Sequence, residues 1–272
     1  MKTLFFTALL FLSTQLLGQE IKFSKKTTAL YENILDAELK KGLNEKEAIK
    51  AVLNNGEYKQ LLYKDLEDAN KKASKAGVSF SKNIGIIATH KTVAILPFST
   101  DIEVKKSKNT SKKEILKDEA ELTDDVQVAL YKYLMKNQFD YSVDFQEITK
   151  TNQILKNKGL LQVMSSTPNE QLAEALGVDA VITGAFSKEM KGSKLKSVMT
   201  RTLTSGLVGA ATGEAAIRMM ITDGESGDVI WRIDTEEDGK FSDSNGMIKD
   251  IMDKVIDFFP YKNSFISKKK KK

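Results

Sequence analysis

The sequence predicts an α/β fold, a mixed β-sheet packed by helices and preceded by a small helical N-terminal region. Residues 92–98 (TVAILPF) form a short apolar run, typical of a strand buried on both faces. Residues 167–186 contain a helix pattern that ends at Gly177 and leads directly into a strand pattern. Residues 216–233 contain two β-rich runs joined by Asp-Gly and Ser-Gly steps, which indicates a hairpin. Helical segments between strands favour a mixed sheet with helices against it.

The segment that precedes the sheet predicts three helices. Apolar residues recur at helical spacing over residues 30–39. Asn44 and Glu47 have the spacing of a capping box, which predicts the start of a second helix, and Asn55-Gly56 separates it from a third. Residues 71–82 are mostly polar, so we interpret them as a linker that follows an adaptor or docking arm.

The later elements follow from the same patterns. Apolar spacing and stop residues predict further helices over residues 122–134, 149–158 and 247–258, and a strand over residues 141–145. Thr167 is the predicted N-cap of the helix that has Pro168 at its first position.

Two segments fit no regular element. Residues 101–117 carry six lysines, and their composition predicts a mobile charged loop. Residues 187–213 combine basic residues with a run of small residues. Flexible linking and membrane insertion are both open here, but residues 194–201 alternate only imperfectly between apolar and polar side chains, which favours linking.

Residues 1–18 predict a signal peptide. Lys2 provides a positive n-region, residues 4–12 are almost entirely apolar, and Gly18 is a small residue suited to cleavage. The apolar stretch is shorter than the roughly 20 residues that span a membrane. We therefore expect a periplasmic or secreted protein. The chain has no cysteine, so neither a lipidation thiol nor a disulfide is available.

The net charge argues against nucleic-acid binding. Subtracting the five charges of residues 268–272 and that of Lys2 from the formal net charge of +5 leaves −1 for the body of the chain. A nucleic-acid-binding fold needs basic residues clustered on its surface. We expect the tail, residues 263–272, to be disordered, although contact with anionic lipid is an alternative.

No pattern of residues predicts catalysis, a cofactor or a metal. His90 is the only histidine and precedes a strand, so we interpret it as an ordinary loop residue. Asp124 and Asp125 are adjacent on a helix and point in different directions. The glycines of residues 206–213 lack the lysine and hydroxyl of a phosphate loop. We expect Trp231 to pack in the core. The sequence therefore predicts a protein that is not an enzyme.

Three blocks of sequence resemble a group of bacterial envelope proteins. The blocks are residues 93–98 (VAILPF), residues 170–184 (EQLAEALGVDAVITG), and Asp223 with Gly227 and Trp231. Together they resemble CsgG, LpoB and the N-terminal domain of TolB, over residues 91–261. The resemblance implies an α/β domain for protein–protein contact, with no active-site residues. Proteins of the CsgG and LpoB kinds usually carry a lipid on a cysteine, which is absent here.

The sequence therefore predicts four regions of the chain: the signal peptide (1–18), the helical N-terminal region and linker (19–83), the α/β domain (84–262) and the basic tail (263–272). We expect an exported, non-enzymatic scaffold or assembly accessory that binds another envelope protein. A CsgG-like oligomeric outer-membrane secretion component is the alternative, and a cell-wall hydrolase is a third. Membrane association and oligomerisation are left open by the sequence.

Overall fold

The computed structural model describes residues 23–104, 112–190, 215–237 and 244–262. The signal peptide, residues 191–214 and the lysine tail, on which several predictions fall, lie outside these ranges. The helices are α1 (Lys25–Lys40), α2 (Glu45–Asn54), α3 (Gly56–Ala73), α4 (Lys112–Met135), α5 (Ile148–Asn157), α6 (Asn169–Leu176) and α7 (Ser244–Val255). The strands are β1 (Val78–Phe80), β2 (Thr92–Ile95), β3 (Ser99–Val104), β4 (Asp144–Phe145), β5 (Ala180–Met190), β6 (Ala215–Asp223) and β7 (Val229–Glu237). The predicted α/β fold class is confirmed.

Within these ranges, seven strands form one mixed sheet in the order β1-β7-β6-β5-β2-β4. Strand β2 runs parallel to both β4 and β5, whereas each neighbouring pair in the series β5, β6, β7 and β1 is antiparallel. Strand β3 also pairs in parallel with β5, beyond the end of β2. Pro97 lies in the break between β2 and β3, where a residue without an N–H cannot continue the ladder.

The two faces of the sheet are covered to different extents. On the first face, alternate residues of β5, β6 and β7 join side chains from α1–α4 and α7 in the main core. On the second face, α5 and α6 cover a smaller cluster around β2 and the start of β5; it comprises Ala94, Leu96, Leu155, Leu172, Ala173, Leu176 and Val181. Residues 93–96 are all fully buried, as the apolar run predicted.

The capping box predicted at the start of α2 is confirmed. Asn44 Oδ1 accepts from the Glu47 N–H at 3.0 Å, and Glu47 Oε2 accepts from the Asn44 N–H at 3.2 Å. Asn55 ends α2, and its side chain accepts from the Tyr58 N–H at 3.0 Å at the start of α3. Because these bonds satisfy N–H groups that a helix start leaves free, the two helices follow each other without a longer loop.

The linker predicted over residues 71–82 is wrong. It contains the end of α3, a 3-10 turn and strand β1, which pairs antiparallel with β7. The Asn70 side chain accepts from the Phe80 N–H at 2.7 Å and donates to the Phe80 carbonyl at 3.1 Å, so α3 holds the strand in place. A three-residue strand is too short to show a period of two, which is why the polar composition suggested a linker. The N-terminal helices share the main core; the domain division remains a prediction.

Two further expectations are corrected. Of the loop predicted over residues 101–117, the first part belongs to β3 and the part from Lys112 belongs to α4; residues 105–111 are outside the described ranges. The N-cap of α6 is Pro168 rather than Thr167, and it forms no side-chain cap. The Thr167 hydroxyl instead donates to the Val163 carbonyl at 2.9 Å, a local bond that competes with capping.

Trp231 packs in the main core, as predicted. Its indole is fully buried and donates from Nε1 to the Phe258 carbonyl at 2.9 Å. The Phe259 ring contacts it edge-on, with ring centroids 5.4 Å apart. An indole N–H in a core needs such an acceptor. The contact therefore fixes the segment after α7 against β7.

Gly184 on β5 lies in close contact with Phe98 and with the backbone of β6. A Cβ atom at this position would lie 2.3 Å from Phe98 Cε1 and 2.6 Å from the Arg218 carbonyl oxygen. We therefore expect Gly184→Ala to lower the free energy of unfolding by about 2 kcal/mol or more, because backbone must move to admit the methyl group. Urea denaturation measures the change.

Gly56→Ala is the matched control, since a Cβ at Gly56 meets nothing within 4 Å. It should leave stability unchanged or raise it slightly, because alanine favours the helix. Equal stability of the two variants would contradict the packing described at Gly184.

Candidate functional site

His90 lies between two polar side chains in the interior, which corrects its interpretation as an ordinary loop residue. It is only 3% exposed. Its Nε2 is 2.8 Å from Asp223 Oδ1, and its Nδ1 is 2.7 Å from the Tyr261 hydroxyl. These residues come from the segment just before β2, the end of β6 and the segment after α7. We call them the buried triad.

Hydrogen bonds keep the Asp223 carboxylate ionised. Burial acts to raise its pKa, but hydrogen bonds from His90 and Ser226 outweigh burial and lower the pKa from 3.8 to about 2. The Ser226 N–H bonds Asp223 Oδ2 at 2.6 Å. An ionised carboxylate only accepts hydrogen bonds, so Nε2 of His90 carries the hydrogen. Burial raises the Tyr261 pKa well above its ordinary value, so this hydroxyl stays protonated at neutral pH.

The buried triad has the composition of a proton-transfer group but not its accessibility. An aspartate that orients a histidine is the arrangement used in general-base catalysis. Here, however, both ring nitrogens of His90 are occupied, and its second partner, Tyr261, is fully buried. A general base must reach the proton that it removes from a substrate. The triad therefore joins three distant segments of the chain, and its His90 ring is not exposed to a substrate.

The buried triad predicts a specific dependence of stability on pH. Because the Asp223 pKa is lowered on folding, its stabilising contribution is present above pH 3.8 and is lost as the pH falls through about 2. The shift corresponds to about 2 kcal/mol. The difference in unfolding free energy between wild type and Asp223→Asn should therefore shrink between pH 4 and pH 2, as measured by urea denaturation.

Asp228→Asn removes the same charge from an exposed carboxylate in the same turn, and so serves as the control. Its difference from wild type should stay constant over this pH range. A constant difference for Asp223→Asn as well would contradict the stabilising role of the triad.

A cavity of about 320 Å³ opens on the second face of the sheet, beside the start of α6. Its walls come from the β2–β3 break, from the segment that leads into α6 and from β5 and β6. Its lining includes the apolar residues Leu96, Pro97, Met164 and Leu172 and the polar residues Thr183 and Arg218. We call it the Arg218 cavity.

Arg218 is only 1% exposed, an unusual state for a guanidinium group. Its Nε and Nη2 atoms donate to Asp234 Oδ2 at 2.9 and 2.7 Å. Its Nη1 is buried without a partner, and so is Thr183 Oγ1. A buried polar group left without a hydrogen bond costs about 1–3 kcal/mol. Two such groups beside one cavity therefore mark it as a candidate binding site.

The helix α6 starts at the same cavity. Asn169, its first residue, lines the cavity and donates from Nδ2 to the Thr222 hydroxyl at 3.0 Å, which ties the helix start to β6. The N-cap residue Pro168 forms no side-chain cap. Since the start of a helix carries a partial positive charge, it adds to the charge of Arg218. Both features favour an anionic ligand.

Sequence patterns predicted neither Arg218 nor Thr183. Arg218 does leave a signal, because it is the one charged residue in the otherwise apolar run 215–221 (AAIRMMI). A charge in such a strand requires a buried partner or a ligand. Thr183 leaves none, since threonine is common in strands.

The described ranges contain neither a candidate metal site nor a candidate membrane-spanning helix. No group of three or more His, Cys, Asp or Glu side chains there could hold a metal ion. None of the helices in those ranges has both the length and the hydropathy needed to cross a membrane.

Comparisons with known proteins give structural similarities only. No protein family matches the sequence, and no curated protein matches it. Similar solved structures include the LpoB C-terminal domain from Salmonella enterica, with 11% identity, a TM-score of 0.31 and coverage of 54% of this chain and 84% of that one. The lipoprotein GNA1162 from Neisseria meningitidis has 11% identity, a TM-score of 0.32 and coverage of 61% and 95%.

A PelC dodecamer from Paraburkholderia phytofirmans has 10% identity, a TM-score of 0.27 and coverage of 61% and 88%. Identities and TM-scores are low for all three structures, so we draw nothing about function from them. LpoB is also one of the proteins that the sequence blocks resemble; the resemblance to LpoB, to CsgG and to TolB remains a prediction.

Proposed function

We propose that this chain is an exported, non-enzymatic protein of the bacterial cell envelope, which binds another envelope protein as a scaffold or assembly accessory. The observation that carries the proposal is the composition of the Arg218 cavity. Its described lining offers hydrogen-bond donors and apolar walls, but it contains no Asp, Glu, His, Cys or Lys side chain. General acid–base catalysis needs such groups. A site of this composition can hold a ligand, and it lacks the means to make or break bonds.

Three further features support the proposal. The signal peptide predicted over residues 1–18 supports export of the mature chain, and the sequence blocks resemble envelope proteins that act through protein–protein contact. The His90 ring, which a hydrolase would need to expose, has both nitrogens occupied inside the fold. Binding is therefore favoured over cell-wall hydrolysis.

Export is tested through the apolar part of the leader. Leu9→Arg combined with Leu10→Arg places two charges in the apolar stretch, so we expect the unprocessed precursor to remain in the cytoplasm. Fractionation of a bacterial host and N-terminal sequencing of the product measure the outcome. Thr3→Arg adds a charge to the n-region, where positive charge is tolerated, and should leave export intact. Equal export of all three chains would contradict the predicted leader.

The partner is tested by crosslinking in the envelope. We expect affinity purification of the exported protein to recover a defined complex with another envelope protein. The double-arginine leader variant, retained in the cytoplasm, should not form this complex. Turnover of cell-wall material by the purified protein alone, abolished by His90→Ala, would overturn the proposal in favour of a hydrolase. A detergent-requiring ring of this chain alone would favour the CsgG-like alternative.

A further inference from the structure

We infer that the Arg218 cavity binds a carboxylate carried by a short apolar group. The inference deepens the proposed function and rests on it, because it names the chemistry through which a binding protein of this kind would recognise its ligand. Three features of the cavity carry it: two donors without acceptors, an unbalanced positive charge, and apolar walls.

The two unpartnered groups belong to residues that are diagonal neighbours on the second face. Arg218 on β6 pairs with Ala185 on β5, and Thr183 is two residues from Ala185 and therefore on the same face. Arg218 Nη1 and Thr183 Oγ1 are both buried and both without a partner. A guanidinium nitrogen can only donate, whereas a hydroxyl can donate or accept. An acceptor placed between the two would complete both groups.

The cluster of Arg218, Asp234 and Arg232 carries an excess positive charge, which a ligand with one negative charge would balance. Asp234 lies opposite Arg218 on β7. Its Oδ2 accepts hydrogen bonds from Nε and Nη2 of Arg218 and, at 3.4 Å, from Nη2 of Arg232. One carboxylate thus serves two guanidinium groups, which leaves this cluster with one positive charge in excess. The partial charge at the start of α6 has the same sign. A monoanion balances this excess better than a phosphate dianion does.

The walls and the size of the cavity define the rest of the ligand. Leu96, Pro97, Met164, Leu172 and Met220 line it around the polar groups. A volume of about 320 Å³ lies at the lower end of the range for small-molecule sites, which is about 300–1,000 Å³. The ligand therefore has the size of a single apolar residue with a free carboxylate, which either the C-terminus of a partner protein or a small organic acid supplies.

The test uses two capped amino acids as probes. We expect N-acetyl-leucine to bind the purified exported protein with saturation in isothermal titration calorimetry, and N-acetyl-leucinamide, which lacks the negative charge, to bind at least about tenfold more weakly. Failure of the wild-type protein to bind N-acetyl-leucine, or equal binding of the amide, would overturn the inference.

Three variants locate the binding. Arg218→Met should weaken binding of N-acetyl-leucine by more than about tenfold. Thr183→Val should weaken it by about fivefold, and this variant keeps the test valid if Arg218→Met does not fold. Valine replaces an unpartnered buried hydroxyl, so Thr183→Val should be at least as stable as wild type. Lys158→Met is the control: it removes one positive charge from an exposed residue outside both the cluster and the cavity lining, and we expect a change of less than about threefold.

A loss for Lys158→Met as large as for Arg218→Met would show attraction by general surface charge, and would overturn the site. Two pentapeptides ending in leucine, one with a free carboxylate and one with an amide, identify the source of the ligand. Tighter binding of the free-carboxylate peptide than of N-acetyl-leucine supports a protein C-terminus, whereas equal binding supports a small organic acid.

The outcomes separate this inference from the proposed function. If the envelope complex forms equally well with wild type and Thr183→Val and no probe binds, the binding protein is supported and the carboxylate site is wrong. If the probes bind as expected but no envelope complex forms, the site stands and the scaffold or assembly role is wrong.

Discussion

The structure depends on one buried polar junction, where β2, the β6–β7 hairpin and the C-terminal segment meet. The buried triad supplies the side-chain part, with His90 between Asp223 and Tyr261. Asp179 supplies the backbone part: its carboxylate accepts from the N–H groups of Lys91 and Thr92 at 2.8 and 2.9 Å, and its carbonyl accepts from the Gly224 N–H at 2.8 Å. Buried polar groups are stable only when their bonds are complete, so this junction fixes how the three segments align.

This junction explains the residues that carry the family resemblance. Asp179 and Asp223 bond the chain at the junction, and Trp231 donates to the Phe258 carbonyl. Gly184 allows Phe98 to approach β5 more closely than any side chain would permit. The residues that carry the resemblance are therefore ones that the fold requires. For this reason the resemblance predicts an α/β domain and does not identify a binding site.

The parts of the fold that sequence predicted well are those set by local patterns. Periodicity and caps located most helices, and the helix–Gly177–strand step was confirmed with Gly177 in the left-handed conformation at φ 68. The parts that were missed depend on distant partners. His90 finds Asp223 across 133 residues and Tyr261 across 171, and β1 is a strand only because β7 pairs with it. Local patterns contain no information about such partners.

The unequal covering of the two faces makes the second face suitable for binding. Side chains of β6 alternate, so that Ile217, Met219 and Ile221 enter the main core while Arg218 points to the opposite face. A ligand at Arg218 therefore does not compete with packing of the core. Asp234 on the adjacent strand holds two of the guanidinium nitrogens, which restricts the rotamers of Arg218 before any ligand arrives. Because folding has already ordered this long side chain, a ligand carboxylate that binds it loses less conformational entropy. The ligand therefore binds more tightly.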